Sequence, residues 1–401
     1  MPRVNPEVLV WARKTAGLAT PEAARKLALK DSRTASAGKK LRAFESGVAE
    51  PSRSLLMRMA KLYRRPLLAF YVTEPPRRGD RGEDFRSLPD RSSVTEPLVD
   101  TLLRDVKARQ MMVKSILLDE EEALSLPFVA SRSIEDGIGE LLASVRQQLS
   151  IDLNTLRAQG SAEAAFALLR ARVEHAGVFV LLIGNLGSHH SAIEVSAFRG
   201  FAMADPIAPF IVINDQDAKS AWSFTLLHEL THLWIGATGI SGGHFEGVVE
   251  RFCNDVASNF LLPSNELPLV GVTRNTQFEE AVELIGRFAD ARLISRSLVA
   301  YRLLRARTIT EPTWRHLTTR FREDWLTSRA AQRARARELE GGPSYYVIRR
   351  HRLGAALLRF AARHVADGAL APTKAGKLLG VKARSVAPLL SDGTTLDQHF
   401  A

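Results

Sequence analysis

The chain has 401 residues, of which 45% are hydrophobic and 25% charged, an ordinary composition for a folded protein long enough for two to four domains. Its single cysteine, Cys253, excludes a disulfide within the chain. No apolar run approaches the roughly 20 residues of a membrane span, and the basic N-terminus leads into no signal-peptide core. We therefore expect a cytoplasmic protein without a membrane partner.

The net charge of +11 is unevenly distributed. Residues 1–86 carry 19 Lys and Arg against 9 Asp and Glu, residues 87–300 carry 17 against 27, and residues 301–401 carry 19 against 8. An acidic centre between two basic ends predicts that each end meets a polyanion, with nucleic acid as the leading candidate. The alternative is that the basic ends match the acidic middle or serve solubility alone.

Residues 1–73 contain signals for four short helices. Asn5-Pro6-Glu7 and Thr20-Pro21-Glu22 each combine a cap, an early proline and an acidic first turn. After a polar insert at residues 30–36, a third helix is predicted at residues 37–46, and Pro51-Ser52 begins a fourth. The third helix carries three basic residues, Lys39, Lys40 and Arg42. Short helices with a basic third one are typical of a helix-turn-helix domain.

The stretch LRAFESGVAEPSRSLLMRMAKLYRRPLLAFYV resembles the lambda-repressor-like (XRE) DNA-binding domains, and the resemblance covers nearly all of residues 6–72. It implies that residues 37–46 form a recognition helix in the major groove of DNA. The insert departs from the usual tight turn, so contacts of Lys39, Lys40 and Arg42 with phosphates alone are one alternative. A domain that docks a protein is another.

Residues 74–93 form a predicted linker, because EPPRRGDRG favours an extended chain. A domain at residues 94–265 is then predicted to open with helices and continue with a small sheet. The helices are placed at residues 94–126, 134–149 and 162–176, and the strands at 178–183, 193–202 and 209–213. We expect the strand at 193–202 to be an edge strand that holds an extended substrate. The preceding pair His189-His190 is assigned to a solvated loop.

The sequence TLLHELTHLW, residues 225–234, lies in an apolar helix predicted at residues 218–235, with N-cap oxygens offered by residues 214–217. His228 and His232 are four residues apart, so they share one helix face and can bind one metal ion. Glu229 is suited to act as a general base. Imidazole and carboxylate ligands favour zinc. The alternative is a pair of hydrogen-bonded core histidines.

A third ligand is expected on the next helix, predicted from Glu250 to Leu262. Glu250 and Asn254 lie one turn apart on one face, so we assign Glu250 as the ligand and Asn254 as a residue that steadies a ligand. His244 and Glu246 are competing candidates. For Glu250, the alternative is a first-turn glutamate favoured by the helix dipole.

HELTHLW followed by ERFCNDVASNFLLP resembles the ImmA/IrrE family of metallopeptidases, and so does EVSAFRGFAMADPIAPFIVIN upstream. The resemblance spans residues 174–263. It implies zinc bound by His228, His232 and Glu250, with Glu229 as general base. Family members cleave transcriptional repressors in stress, mobile-element or defence switches, so a repressor-like protein substrate is implied. Phe252 departs from the family pattern, which is often acidic there.

The remainder is predicted to be helical. A region at residues 266–340 holds helices at 278–288 and 295–305 and a long arginine-rich helix from residue 310 to 340. Residues 341–401 hold helices at 351–367, 373–380 and 383–390. This last region resembles a second helix-turn-helix, and the alternative is a helical cap that packs on the peptidase or forms a homodimer.

These features predict a helix-rich α+β protein: an all-α helix-turn-helix domain, a zincin-like peptidase domain with a small sheet, and a helical C-terminal region. The predicted function is a DNA-binding regulator with a zinc endopeptidase domain. Two alternatives are a regulator whose peptidase-like domain senses a ligand or partner without cutting, and an interaction scaffold with structural zinc. A closed structural zinc site needs four protein ligands, whereas the sequence offers three and a base, which favours hydrolysis.

Overall fold

The computed structural model describes residues 3–32, 35–76, 96–187, 191–237, 239–241, 247–338 and 344–391. In these segments no helix is both long and apolar enough to cross a membrane. The fold is helix-rich with one small mixed sheet, so the predicted α+β class is confirmed. The chain divides into two compact units, one formed by residues 1–105 and 186–193, the other by residues 106–185 and 194–401.

The first unit holds a bundle of short helices close to the predicted positions: α1 (Pro6–Thr15), α2 (Thr20–Lys26), α3 (Ala37–Glu45), α4 (Arg53–Tyr63) and a 3-10 helix (Leu67–Tyr71). The side chains of Asn5, Ser36 and Ser52 accept hydrogen bonds that cap α1, α3 and α4. The bundle closes around a core that includes Leu9, Leu41, Leu56, Tyr63 and Phe70. A bidentate ion pair between Arg13 and Glu45 joins α1 to α3.

Four helices follow: α5 (Glu96–Asp119), α6 (Gly137–Leu149), α7 (Leu153–Arg157) and α8 (Ala162–His175). The helix predicted at residues 94–126 ends seven residues early, and Glu121 just beyond it has a φ of 58°, which is incompatible with a continuing helix. The short α7 is a helix that the sequence pattern does not predict. Asp152 caps it by accepting a hydrogen bond from the Thr155 N–H.

The sheet contains β1 (Phe179–Leu182), β2 (Gly200–Met203), β3 (Phe210–Ile213) and β4 (Gly239–Ser241), in the order β1-β3-β2-β4. β1 runs parallel to β3, while β2 pairs antiparallel with both β3 and β4. The predicted edge strand at residues 193–202 is therefore wrong in two respects. The strand begins only at Gly200, and it lies between two partners, because a three-residue strand from beyond the next helix covers its outer side.

α9 (Lys219–Trp234) packs against α8, α10 (Val248–Leu261) and strands β2 and β3, and is buried along almost its whole length. The predicted N-cap is wrong: Ala218 occupies that position without a side-chain cap. Asn214 and Asp217 instead accept hydrogen bonds from the N–H groups of Gln216 and Ala218 within the preceding turn.

After a 3-10 helix (Ser264–Val270), the chain continues with α11 (Phe278–Ala291), α12 (Arg296–Arg305) and α13 (Glu311–Glu338), then α14 (Tyr345–Leu353), α15 (Ala355–Ala366), α16 (Pro372–Leu379) and α17 (Val386–Ser391). The single helix predicted at residues 351–367 is wrong, since Gly354, with a φ of 81°, separates α14 from α15. The buried Glu174 accepts hydrogen bonds from the N–H groups of Ala355 and Ala356, so α15 is docked onto α8.

Candidate metal centre

The metal-ligand candidates lie where α9 meets the first turn of α10. His228 and His232 are one turn apart on α9, and both are buried. Glu250, in the first turn of α10, faces them and is partly exposed. Because the two histidines share a helix face, one carboxylate from the neighbouring helix reaches both imidazoles.

The three side chains are spaced as ligands of one ion would be. The Nε2 atoms of His228 and His232 are 3.2 Å apart, and each lies 3.3 Å from an oxygen of Glu250. Tetrahedral zinc with ligand bonds of about 2.0–2.1 Å separates its donor atoms by about 3.3 Å. The donor set therefore fits zinc in kind and in spacing, and the structure brings together the three residues predicted as ligands.

The charge state of Glu250 suits a cation. Burial opposes ionisation of this carboxyl group, but hydrogen bonds and charge interactions with His228 and His232 bring its pKa well below the usual value. Across the described residues, the Nδ1 atoms of both histidines are buried without a hydrogen-bond partner. The Nε2 atoms are the ones turned toward the carboxylate, and the three groups form a compact cluster that could hold a positive ion.

Glu229, the predicted general base, is completely buried and lies against the sheet. A Cβ built on Gly200 of β2 would stand 2.7 Å from Oε1 of Glu229 and 2.7 Å from Cγ2 of Thr225. Only glycine at this position therefore leaves room for the carboxylate. Gly200 is not among the site residues predicted from sequence, although a glycine inside a predicted strand often marks a close approach. The role of Glu229 as a base stays a prediction.

Two other residues of α10 lie near the cluster. Asn254 is buried one turn beyond Glu250, but no hydrogen bond among the described residues joins its amide to the three donors, so its steadying role stays a prediction. Cys253 is also buried, and burial, reinforced by the charges of Glu250 and Glu229, raises the pKa of its thiol well above the usual value. It remains a protonated core residue, as its apolar surroundings predict.

The predicted DNA contacts lie on α3, in the first unit. Lys39 and Arg42 are exposed, whereas Lys40 is half-buried and donates a hydrogen bond from Nζ to the carbonyl oxygen of Lys30. Two of the three side chains thus face solvent, where a phosphate could reach them. The competing metal ligands His244 and Glu246, and the pair His189-His190, lie outside the described residues.

Comparison with known proteins bears on part of the chain. No curated protein and no solved structure matches it. Residues 187–304 match the model of the IrrE N-terminal-like domain, a family of M78 peptidases. The matched segment contains His228, Glu229, His232 and Glu250, and the family is typically metal-dependent. The segment that holds the metal centre is therefore similar to a peptidase domain, which supports a peptidase-type activity in general.

Proposed function

We propose that the protein is a zinc-dependent endopeptidase joined to a DNA-binding domain. The observation that carries this proposal is the trio His228, His232 and Glu250, whose donor atoms lie 3.2–3.3 Å apart on two helices. The peptidase family match over the same segment supports a hydrolytic rather than a purely structural metal. Three protein ligands also leave one zinc position open for substrate, as catalytic sites require.

In this proposal each side chain has one task. His228, His232 and Glu250 hold the ion. Zinc, when bound, supplies a Lewis acid that polarises the scissile carbonyl and eases deprotonation of water. Glu229 accepts the proton of the attacking water and passes it to the leaving nitrogen. Gly200 keeps open the space that the Glu229 carboxylate occupies.

The peptide substrate is assigned to the outer side of β4. In the sheet order this strand is terminal, and within the described residues its outer side pairs with no other strand. An extended peptide can add there by main-chain hydrogen bonds. β4 pairs with β2 through Gly200 and Ser241, and Gly200 lies against Glu229. The edge-strand role expected for residues 193–202 thus passes to β4.

The remaining parts follow the predicted division: a helix-turn-helix domain at residues 1–73, a linker at 74–93, the peptidase domain at 94–265, a helical region at 266–340 and a C-terminal helical region at 341–401. Lys39, Lys40 and Arg42 on α3 contact DNA, and the net charge of residues 1–86 favours such a polyanion. The substrate is a repressor-like protein, and the setting is a cytoplasmic stress, mobile-element or defence switch.

One observation favours the alternative, a regulator that senses a ligand or partner and does not cut. Glu229 has no exposed surface, so water reaches it only through a rearrangement of its surroundings. In that alternative the metal centre is retained while the base stays shielded. Both candidate functions therefore include a bound metal, and they differ in whether the protein cleaves peptide bonds.

Cleavage by wild type and Glu229→Gln, both loaded with zinc, tests the proposal. The substrate is the repressor encoded nearest to this gene, and Glu163→Gln, which changes an exposed glutamate on α8, is the matched control. We expect both variants to keep zinc, and Glu229→Gln alone to lose about 10²-fold or more in rate. Equal cleavage by Glu229→Gln would remove the proposed base. Zinc-loaded wild type that binds DNA and cuts nothing would favour the alternative.

A further inference from the structure

A cleft of about 500 Å³ in the second unit is lined in part by residues of α10 and α12, and none of its lining residues is a metal-ligand candidate. Its size falls within the range of small-molecule sites, about 300–1,000 Å³. Its lining includes the apolar side chains of Ile138, Leu267 and Val272. It also includes two guanidinium groups, those of Arg302 and Arg305 from α12. The cleft therefore offers both apolar contacts and positive charge.

Arg302 is a buried cation that lacks a direct counterion. Its residue is only 5% exposed, and burial lowers the pKa of its guanidinium. Nε donates to the carbonyl oxygen of Leu262 at 3.0 Å, and one Nη donates to the Ser264 hydroxyl at 2.8 Å. Among the described residues, no carboxylate forms an ion pair with it. A guanidinium has five N–H donors, and burying one without an anion is costly.

Asp255, the carboxylate of this cleft, is already engaged by other residues. Arg305 donates to it from Nε at 2.8 Å and from Nη2 at 2.6 Å, and the Tyr301 hydroxyl donates at 2.7 Å. Asp255 therefore pairs directly with Arg305, and it acts on Arg302 only through space, without a hydrogen bond or ion pair to it among the described residues. The net charge of these three ionised groups is +1, which matches one monoanion.

We propose that this cleft binds a small organic carboxylate, with its head on Arg302 and Arg305 and its apolar body against Ile138, Leu267 and Val272. A planar carboxylate matches the fork of a guanidinium and carries the single negative charge that the cleft lacks. A phosphate dianion would overcompensate that charge. The site goes beyond the proposed peptidase, because none of its lining residues is a metal ligand or the proposed base. Such a ligand is the kind of signal that the sensing alternative requires.

Calorimetric titration of the full chain with hexanoate and 4-phenylbutanoate tests the ligand class. Three further compounds separate the contributions to binding. Acetate lacks the apolar body, 4-phenylbutanamide lacks the charge, and inorganic phosphate has a different anionic head. We expect one-to-one binding of at least one of the two longer carboxylates, and binding of the neutral amide weaker by about tenfold or more. Failure of both carboxylates to saturate, equal binding of the amide, or preference for phosphate would each overturn the proposal.

Two variants locate the site. Arg302→Gln should weaken carboxylate binding by about tenfold or more, the loss expected for a charge-assisted hydrogen bond. Because Arg302 also holds α10 through Leu262, Ala306→Phe provides a second test, since it adds bulk at an exposed lining residue. Arg296→Gln, on α12 but outside the cleft, is the control and should bind as wild type does. Undiminished binding by folded Ala306→Phe would contradict this location.

Discussion

Gly200 of β2 lies against Glu229 of α9 so closely that a Cβ at Gly200 would stand 2.7 Å from the Glu229 Oε1 atom. Real Cβ atoms do not approach oxygen this closely, so any larger residue at position 200 must displace the carboxylate. The sheet and α9 thus meet at the proposed base, and the glycine in β2 leaves the space that the Glu229 carboxylate fills.

Replacement of Gly200 by alanine should reduce peptidase activity and leave zinc bound. The added methyl group displaces the Glu229 carboxylate, and a misplacement of about 1 Å can cost about 10²-fold in rate. Cleavage rate and zinc content are the measurements. Gly139→Ala is the control, because a Cβ at Gly139 meets no atom within 4 Å. Wild-type rates in Gly200→Ala would show that the carboxylate does not depend on this glycine.

Replacement of Glu174 by glutamine should destabilise the second unit strongly. Arg170 donates from Nε to Glu174 at 3.1 Å, and both side chains are buried. Glutamine keeps one acceptor oxygen but no charge. The buried guanidinium of Arg170 therefore loses its counterion, and either Arg170 or the first N–H groups of α15 lose their acceptor, at a cost of about 3–5 kcal/mol. Urea denaturation measures the loss, and hydrogen exchange should rise first in α14 and α15. Glu163→Gln, at an exposed ion pair, should change little.

Glu266 should contribute stability that depends on pH. It accepts hydrogen bonds from Arg157 and Arg292, each at 2.9 Å. Burial alone would raise the pKa of Glu266, but these hydrogen bonds lower it below its usual value. Because the pKa of this carboxyl group is lower in the folded than in the unfolded protein, its ionised form stabilises the fold at pH values above the unfolded-state pKa of about 4.3. This stabilisation is lost as the pH falls through the folded-state pKa.

The variant Glu266→Gln should therefore unfold more easily than wild type at neutral pH, by about 1–2 kcal/mol. This difference should shrink as the pH falls below about 4, where the wild-type carboxylate takes up its proton. Urea denaturation of both proteins across this range gives the two curves. Parallel curves, with a constant difference in unfolding free energy, would contradict the role of the ionised carboxylate.

DNA binding by α3 should depend on its basic side chains. Simultaneous replacement of Lys39, Lys40 and Arg42 by glutamine should weaken DNA binding and reduce its dependence on salt, since fewer phosphate contacts release fewer counterions. Fluorescence anisotropy at several salt concentrations measures both quantities. Zinc content should not change, because these residues lie in the other unit. Wild-type affinity and salt dependence in the variant would exclude α3 as the contact surface.

Local sequence signals predict most helices and the cluster of His228, His232 and Glu250. The apolar period and the four-residue spacing of His228 and His232 place both imidazoles on one face, and the next helix supplies Glu250. These features depend on residues near one another in the chain. The position of α12 follows in the same way, and the Ser295 side chain caps it. The cap predicted at Thr20 is wrong, because α2 begins at Thr20 itself and Ala19 before it offers no side-chain cap.

Long-range pairing explains the errors. The outer partner of β2 is β4, a three-residue strand without a pattern of its own, so the edge of the sheet was misplaced. The break at Gly354 depends on Glu174, which a Cβ at Gly354 would meet at 2.1 Å, although 180 residues separate the two in the chain. The Asp255–Arg305 pair likewise joins two helices that are distant in sequence. Contacts between residues far apart in the chain produce no periodic pattern in the sequence from which they could be predicted.

Zinc content of the purified full chain is the most direct measurement of the central claim, that His228, His232 and Glu250 hold one metal ion. Mass spectrometry of the metal should find one zinc ion per wild-type chain and per Glu229→Gln chain, and little in His232→Ala or Glu250→Ala, provided circular dichroism shows that these variants are folded. Wild type without zinc after incubation with the metal, or full zinc occupancy in Glu250→Ala, would contradict the account.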